Sequence, residues 1–376
     1  MNTTSASPLS VLVVGGGIAG LTTAVALRRA GHQVELVELK PDWVETGWGL
    51  SLTGPALRAL ARVGLDTACI AAGAGVTAIT NCSVDGTVLN TIELPSLLGE
   101  GRPAQIGLAR ATLSEILREA AADHGATLRT NLAVESIVDD NHRIRASLSD
   151  GSIRSVDLIV GADGVGSRVR KLVGIEKRPF FTNQCVWRVI VDRPKWADNL
   201  YTFTAPNHSS GLIPMSENHA YIFCTECTDQ ADPVEGDERV AGMRSLLEPL
   251  AGRMLEVVEG IQDPDRVVRR PILSLHVDET WHRGRCVLIG DAVHSGGPQM
   301  VSGAAMAIED AVLLAEHLGT HPEIDKALTT FYERRHKRTR LVVDTTLQIG
   351  KLERHNRFAE VHALMRTCHA ELAKPV

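Results

Sequence analysis

The sequence predicts an α/β fold in which a discontinuous parallel-sheet unit is interrupted by a mostly antiparallel second sheet and closed by C-terminal helices. Three observations predict it. A βαβ pattern with a glycine-rich turn runs from Val11 to Glu38. A second apolar strand, ending in Gly290-Asp291 and a small-residue loop, lies far downstream. Between them, Gln184 to Cys227 is rich in Val, Ile, Tyr, Phe and Trp with period-two alternation, the pattern of strands with one buried face.

Val11 to Val14 is a short apolar run suited to a parallel strand buried on both faces. Gly15 to Gly20 carries G-x-G-x-x-G at Gly15, Gly17 and Gly20, with Ala19 in the same loop, and a helical pattern then continues to Arg29 and stops at Gly31. Val34 to Glu38 is the next strand. Glu38 falls 18 residues after Gly20, close to the ~20 expected of a ribose-binding carboxylate. The first glycine serves the tight turn, the second gives a pyrophosphate room to approach the backbone, and the third packs helix on strand. This is a Rossmann-like dinucleotide site, and an acid at the strand end favours a free 2′-hydroxyl, hence FAD or NAD over NADP.

Leu57 to Leu65 reads as a helix, and Val76 to Leu94 as an antiparallel hairpin turning at Asp85-Gly86. Helical periodicity returns from Thr112 to Asp123, and Val156 to Val160 is a further buried strand. Residues 238–258 read as one helix, Cys286 to Ile289 brings the chain back to the first sheet, and Glu323 to Lys351 is helical, extending toward Leu372. The cofactor unit is therefore expected to take residues 1–73, 102–176 and 272–345, the second-sheet unit 74–101 and 177–271, and a C-terminal helical segment 346–376.

A length of 376 residues accommodates two such units, and 44% hydrophobic with 22% charged residues is the balance of a soluble globular enzyme. The net charge of −6 argues against nucleic acid, and no apolar run reaches the ~18 residues of a membrane span. The short polar start lacks a signal-peptide pattern, and seven scattered cysteines suit a reducing compartment, so a cytoplasmic location is expected. Cys224-Thr225-Glu226-Cys227 lacks a partner pair at ligand spacing and reads as strand, so no metal is expected. Arg334 to Arg338 reads as a solvated, partly salt-bridged helix face.

Together these residues resemble the single-component FAD-dependent monooxygenases of the para-hydroxybenzoate hydroxylase fold. The resemblance covers about residues 8–345, and the family's three motifs occur in order: Gly15 to Gly20 with Glu38, then Gly161-Ala162-Asp163-Gly164-Val165-Gly166-Ser167-Arg168-Val169-Arg170, then Gly290-Asp291. It implies an FAD-binding Rossmann-like domain with an inserted, mostly antiparallel substrate domain. It also implies that Asp291 contacts the ribityl chain and that Arg110 reaches the FAD. Asp163 is shared between cofactor and its own turn, both readings being open. Ser302, Gly303 and Ala304 open a helix whose N–H groups suit the negative charge of a reduced flavin. His294 is expected to hold the loop. The family's usual Gly-Gln-Gly is here Val301-Ser302-Gly303, and valine resists positive φ, so the loop is expected to take a form open to a branched residue.

The resemblance further implies that NADH or NADPH reduces the FAD, that O2 then forms a flavin hydroperoxide, and that oxygen passes to an electron-rich ring. The leading expectation is hydroxylation of a small phenolic or heteroaromatic compound by a monomer or homodimer. A tailoring oxygenase or epoxidase acting on a larger polyketide-like or terpenoid substrate stays open, as does a non-catalytic flavoprotein. Tyr221 and Pro298 are placed at the reacting centre. Trp187, Tyr201, Phe203, Leu212, Pro214, Met215 and Phe223 are further wall candidates, of which alternation allows about half to face a pocket. Tyr221 matches a tyrosine that touches substrate in the urate-hydroxylating relatives. The arginine that those relatives carry nearby is Ser209 here, so urate is not expected. Arg188 and His208 are spare polar partners.

Overall fold

The computed structural model describes residues 7–43, 48–205, 208–250 and 252–376, with only the backbone of Thr204 and His208. Among them a six-stranded sheet runs in the order His282–Arg283, Cys286–Leu288, Leu158–Gly161, Ser10–Val14, Gln33–Val37, Thr127–Arg129. Its pairs are parallel except at the His282–Arg283 edge. The chain leaves Ser10–Val14 toward one edge and returns on its other side at Leu158–Gly161. The crevice beyond the carboxyl ends of these two strands is therefore the switch point where α/β sheets bind ligands.

The helices, in chain order, are α1 (Ile18–Arg29), α2 (Gly54–Arg62), α3 (Asp66–Ala72), α4 (Arg110–Asp123), α5 (Arg168–Leu172), α6 (Asp237–Leu247), α7 (Arg253–Glu259), α8 (Gly303–Thr320), α9 (Ile324–Arg354) and α10 (Phe358–Ala373). Among the described residues, none is long and apolar enough to cross a membrane. Leu12, Val13, Leu21, Val25, Ile159, Val287 and Ile308 belong to one buried core, which fixes α1 and α8 against the parallel strands.

Three elements differ from expectation, each at a local breaker. The run from Val156 to Val160 splits at Asp157, whose carboxylate accepts from the Ser10 backbone N–H at 2.8 Å and its hydroxyl at 2.7 Å. Val156 instead ends a small sheet of Val134–Asp139, Ile144–Leu148 and Ile153–Val156. The helix from Leu57 to Leu65 stops at Arg62, because Gly64 turns left-handed (φ +76°) before α3 begins. The single helix over 238–258 is two, with Pro249 and Gly252 (φ +69°) between α6 and α7.

The second sheet has eight strands: His294–Ser295, Val267–His276, Phe180–Asp192, His219–Cys227, His208–Pro214, Leu200–Ala205, Ala78–Cys82 and Val88–Glu93. It is antiparallel except where Leu200–Ala205 meets Ala78–Cys82. Its outer face packs on α6 and α7 through Trp187, Tyr201, Phe203, Leu212, Ile222 and Met243. Four of the expected wall residues, Trp187, Tyr201, Phe203 and Leu212, thus point away from the cofactor unit. Their polar ends are used locally: the Tyr201 hydroxyl donates to Asp198 (2.8 Å) and the Trp187 indole to Glu226 (2.8 Å). The opposite face carries Ile190, Ile213, Tyr221 and Phe223, with Met215 and Trp48 packed against them. Cys224 belongs to the outer core, and the strand alternation sends Cys227 to the other face, so the two cannot chelate together. All seven cysteines are free.

Several histidines are packed where their charged form loses solvation. His276 is pushed down to about 4, by burial first and then by His294, His336 and Arg340, while Asp278 opposes. Burial also lowers His282, His317 and His336. The folded value lies below the unfolded ~6.5, so the unfolded chain takes up protons first as pH falls. Stability contributed by neutral His276 is complete above ~6.5 and is lost as pH drops toward 4. Thermal unfolding should show Tm falling between pH 7 and 5, with a shallower fall in His276→Gln. An identical slope in the variant would remove His276 from this account.

Candidate active site

At the switch point lies a cleft of about 390 Å³ bordered by Gly15, Gly17, Glu38, Arg110, Asp163 and Arg168. Gly15 has φ +109°, and a Cβ there would sit 2.4 Å from the Ala162 carbonyl oxygen, so only glycine makes this turn. A Cβ on Gly20 would lie 1.9 Å from the Gly15 oxygen, which explains how closely α1 rests on the turn. A Cβ on Gly17 would meet nothing within 4 Å: the loop is open toward the cleft. Ala19 lies in the first turn of α1. The Glu38 carboxylate, just past Gln33–Val37, accepts from the Gly16 N–H at 2.6 Å and the Lys40 N–H at 2.9 Å.

Asp163 borders the cleft, and its carboxylate is used inside its own turn. It accepts from the Ser167 hydroxyl (2.5 Å) and from the N–H groups of Arg168 (2.7 Å) and Val169 (3.0 Å). The same turn supplies Arg170, buried and missed as a positioning residue, whose guanidinium donates to the Ala292 carbonyl at 2.7 Å. The second and third motifs are thereby tied together.

Gly290–Ala292 forms a short 3₁₀ turn directly after Cys286–Leu288. Asp291 is exposed to solvent, although the surrounding protein partly desolvates its carboxyl. Its carboxyl is raised, by burial first; His294 and Arg110 oppose the shift and Asp310 adds to it. Behind it stands an ion network that the sequence hid. Asp310 accepts from the Gly290 N–H (2.9 Å), from His294 (2.6 Å) and from Arg335 (2.7 Å). Arg335 also bonds Glu309 (2.7 Å), which is held by Arg338 at 2.9 Å through both oxygens. Arg335 and Asp310 are 0% exposed, so the basic run is not simply a solvated face. The position of His294 agrees with its loop-holding role.

Pro298–Met300 forms another 3₁₀ turn, and Val301 after it is left-handed (φ +49°, ψ +31°), contrary to expectation. The turn is held by the Val301 N–H on the Pro298 oxygen (2.8 Å) and the Ser302 hydroxyl on the Met300 oxygen (2.7 Å). Such a conformation costs a branched residue about 1–3 kcal/mol. Val301→Gly should therefore be neutral to stabilising despite its ~0.5–1 kcal/mol entropic cost, read by urea unfolding. A clear loss of stability would show the valine side chain to matter more than its strain. Ser302 precedes α8, Gly303 opens it with free space where a Cβ would stand, and Ala304 follows.

On the sheet side, Tyr221 is buried and its phenol is raised by burial, with Arg188 opposing through charge and a hydrogen bond. The Arg188 Nε is buried without a partner. Phe223 lies 5.9 Å from the Tyr221 ring. The side chain of His208 is outside the described residues. Next to Pro298, Gln299 donates to Gln184 (3.0 Å), and Gln184 and Ser209 each donate to Glu353 at 2.9 Å. Burial raises the Glu353 carboxyl against these bonds. Nothing in the helical pattern of the C-terminal segment marks Glu353. Elsewhere, His276, Asp278 and His336 bring ligand-type atoms within 4.8 Å of one another, but Arg340 and Lys177 already pair with Asp278.

The sequence profile of the family described as FAD binding domain matches residues 8–346. The chain is 31% identical over 348 residues to the aurachin C monooxygenase/isomerase of Stigmatella aurantiaca, spanning 92% of this chain and 89% of that one. The chain belongs to the FAD-dependent monooxygenase family. The monooxygenase is also 30% identical over 348 residues to a 2-heptyl-3-hydroxy-4(1H)-quinolone synthase of Pseudomonas aeruginosa, with the same coverage. The fold is that of Klebsiella pneumoniae HpxO complexed with FAD and uric acid: TM-score 0.83 at 22% identity, covering 98% of this chain and 93% of that one. FAD is the cofactor of this monooxygenase and NADH or NADPH its co-substrate.

The residues present fit FAD. The open glycine turn and the N-terminus of α1 would face the pyrophosphate, Glu38 the ribose, Asp291 the ribityl hydroxyls, and Arg110 the phosphates. The exposed Asp291, on a turn where a Cβ at Gly290 would lie 3.0 Å from the Ala19 Cβ of the first motif, is the observation that favours a hydroxyl-rich occupant reaching from one motif to the other.

Proposed function

We propose that this monooxygenase hydroxylates a neutral, planar heteroaromatic ring bearing a carbonyl or hydroxyl oxygen, of the quinolone type. The observation that carries this reading is the Arg188–Tyr221 pair, set in a wall otherwise formed by Ile190, Ile213, Met215 and Phe223. An oxygen on a flat ring meets donors there, and the ring meets apolar surface. An anion is disfavoured beyond it: Ser209, where urate-hydroxylating relatives carry arginine, bonds the buried acid Glu353. A relative of 30% identity is named for a heptyl-hydroxyquinolone, which supports the same ring class.

Reduced FAD supplies the activated oxygen when bound. The chain's own part is to orient the ring and exclude water. Tyr221 and Arg188 fix the ring oxygen. Pro298 and the start of α8 close the opposite side, held by Gln299 on Gln184.

The test is NADH and NADPH consumption by the FAD-loaded protein with 4-quinolone, phenols and urate, with mass spectrometry of products. Quinolone-stimulated consumption and a product one oxygen heavier are expected, with none from urate. Consumption that yields only peroxide with every ring would overturn the assignment. Tyr221→Phe should raise KM or lower coupling by about fivefold, the worth of one hydrogen bond of about 1 kcal/mol. Unchanged KM and coupling would take Tyr221 out of the site.

A further inference from the structure

The apolar wall does not end at Tyr221. Toward the Met215–His219 turn it opens into a cleft of about 600 Å³ between the two units. Ile190 and Met215 line it from the sheet, and Trp48, Ala72 and Ala109 from the cofactor side. Met215 and Ile190 also belong to the cluster around Tyr221, so cleft and ring site share a continuous wall. Trp48 is pinned across the gap, its indole N–H donating to the Arg266 carbonyl at 3.3 Å. Polar groups gather at the rim: His219, Asp265 and Arg266 are exposed there. Arg266 stands beside Asp265, so the rim offers no net positive charge to hold phosphates. An apolar base beside a ring site, with a wet mouth, suits a hydrocarbon chain that starts at the ring and ends in solvent.

We propose that this cleft takes an alkyl or isoprenoid chain attached to the ring substrate, running from Tyr221 past Met215 and Ile190, beneath Trp48, to the rim at His219. The proposal rests on the ring reading above. Each methylene moved from water into such a cleft strengthens binding about three- to fourfold. A cleft of this size holds several methylenes before the chain reaches the rim, so the gain must accumulate and then stop.

The experiment uses the FAD-loaded protein and 4-quinolones carrying at C2 no chain, propyl, pentyl, heptyl or nonyl. Kd is read by calorimetry, and KM and coupling by turnover. Kd and KM should fall about three- to fourfold per methylene and level off at the longest chains. Ala72→Trp, an exposed position at the cleft, should raise the KM of the heptyl compound at least tenfold more than that of the chainless ring. Met215→Asn should shrink the dependence on chain length. If the chainless ring is bound and hydroxylated as well as the others, the chain inference falls and the ring reading stands. If no member binds or is oxygenated while another arene is, the ring reading falls and takes this one with it. A dependence on chain length that Ala72→Trp and Met215→Asn both leave intact would place the chain elsewhere and overturn the proposal.

Discussion

Replacing Arg335 by alanine is expected to cost about 3–5 kcal/mol of stability, whereas Arg334→Ala, one residue earlier, should change it by less than about 0.5 kcal/mol. Both belong to the same basic run on α9. Arg334 is exposed, while Arg335 is fully buried between Asp310 and Glu309. Burial works against the charge of Arg335, but the two carboxylates outweigh it and raise its pKa, while Arg335 and His294 hold Asp310 below the usual carboxylate range. Removing the guanidinium leaves Asp310 with His294 and the Gly290 N–H, and Glu309 with Arg338 alone, so the penalty is that of buried negative charge stripped of its shared cation rather than of one lost bond. The damage should extend to the cofactor, because Asp310 also holds the Gly290 N–H and thereby the turn that carries Asp291. Urea unfolding of the apoprotein and FAD retention on gel filtration check both parts. A variant as stable as Arg334→Ala, with full flavin, would sink the argument.

What was legible in the sequence was what is local or strictly periodic. Gly15, Gly17 and Gly20 announce their turn because their spacing is the turn, and Glu38 follows from strand length. The central strands announce themselves by apolar runs without polar relief. Partnership across the fold was not legible. Arg335 meets acids in α8, a separate helix, and a basic run on a helix carries no mark of which member points inward. Alternation in the second sheet allowed half of the aromatic candidates a place at the site. Which half required knowing that α6 and α7 cover one face, the face on which Trp187 and Tyr201 lie, whereas Tyr221 lies on the other. Val301 shows the reverse case. Its steric preference was read correctly, but the turn bonds from Val301 to Pro298 and from Ser302 to Met300 override it.

Asp291→Ala should separate holding the flavin from holding the fold. Its carboxylate is open to solvent, and burial together with Asp310 already raises its pKa, so the apoprotein loses little when it goes. A hydrogen bond to a charged group is worth about 1.5–3 kcal/mol, and FAD affinity should fall about ten- to a hundredfold. Asp291→Asn, which keeps an acceptor oxygen, should recover part of that loss. Apo and FAD-loaded Tm provide the reading, because a ligand bound only by the folded state raises Tm by mass action. In Asp291→Ala the apo Tm should stay near that of the parent chain while the increment from FAD shrinks. In Arg335→Ala the apo Tm itself should collapse. If Asp291→Ala keeps the full increment, the carboxylate does not meet the flavin, and the ribityl chain must be held by other groups.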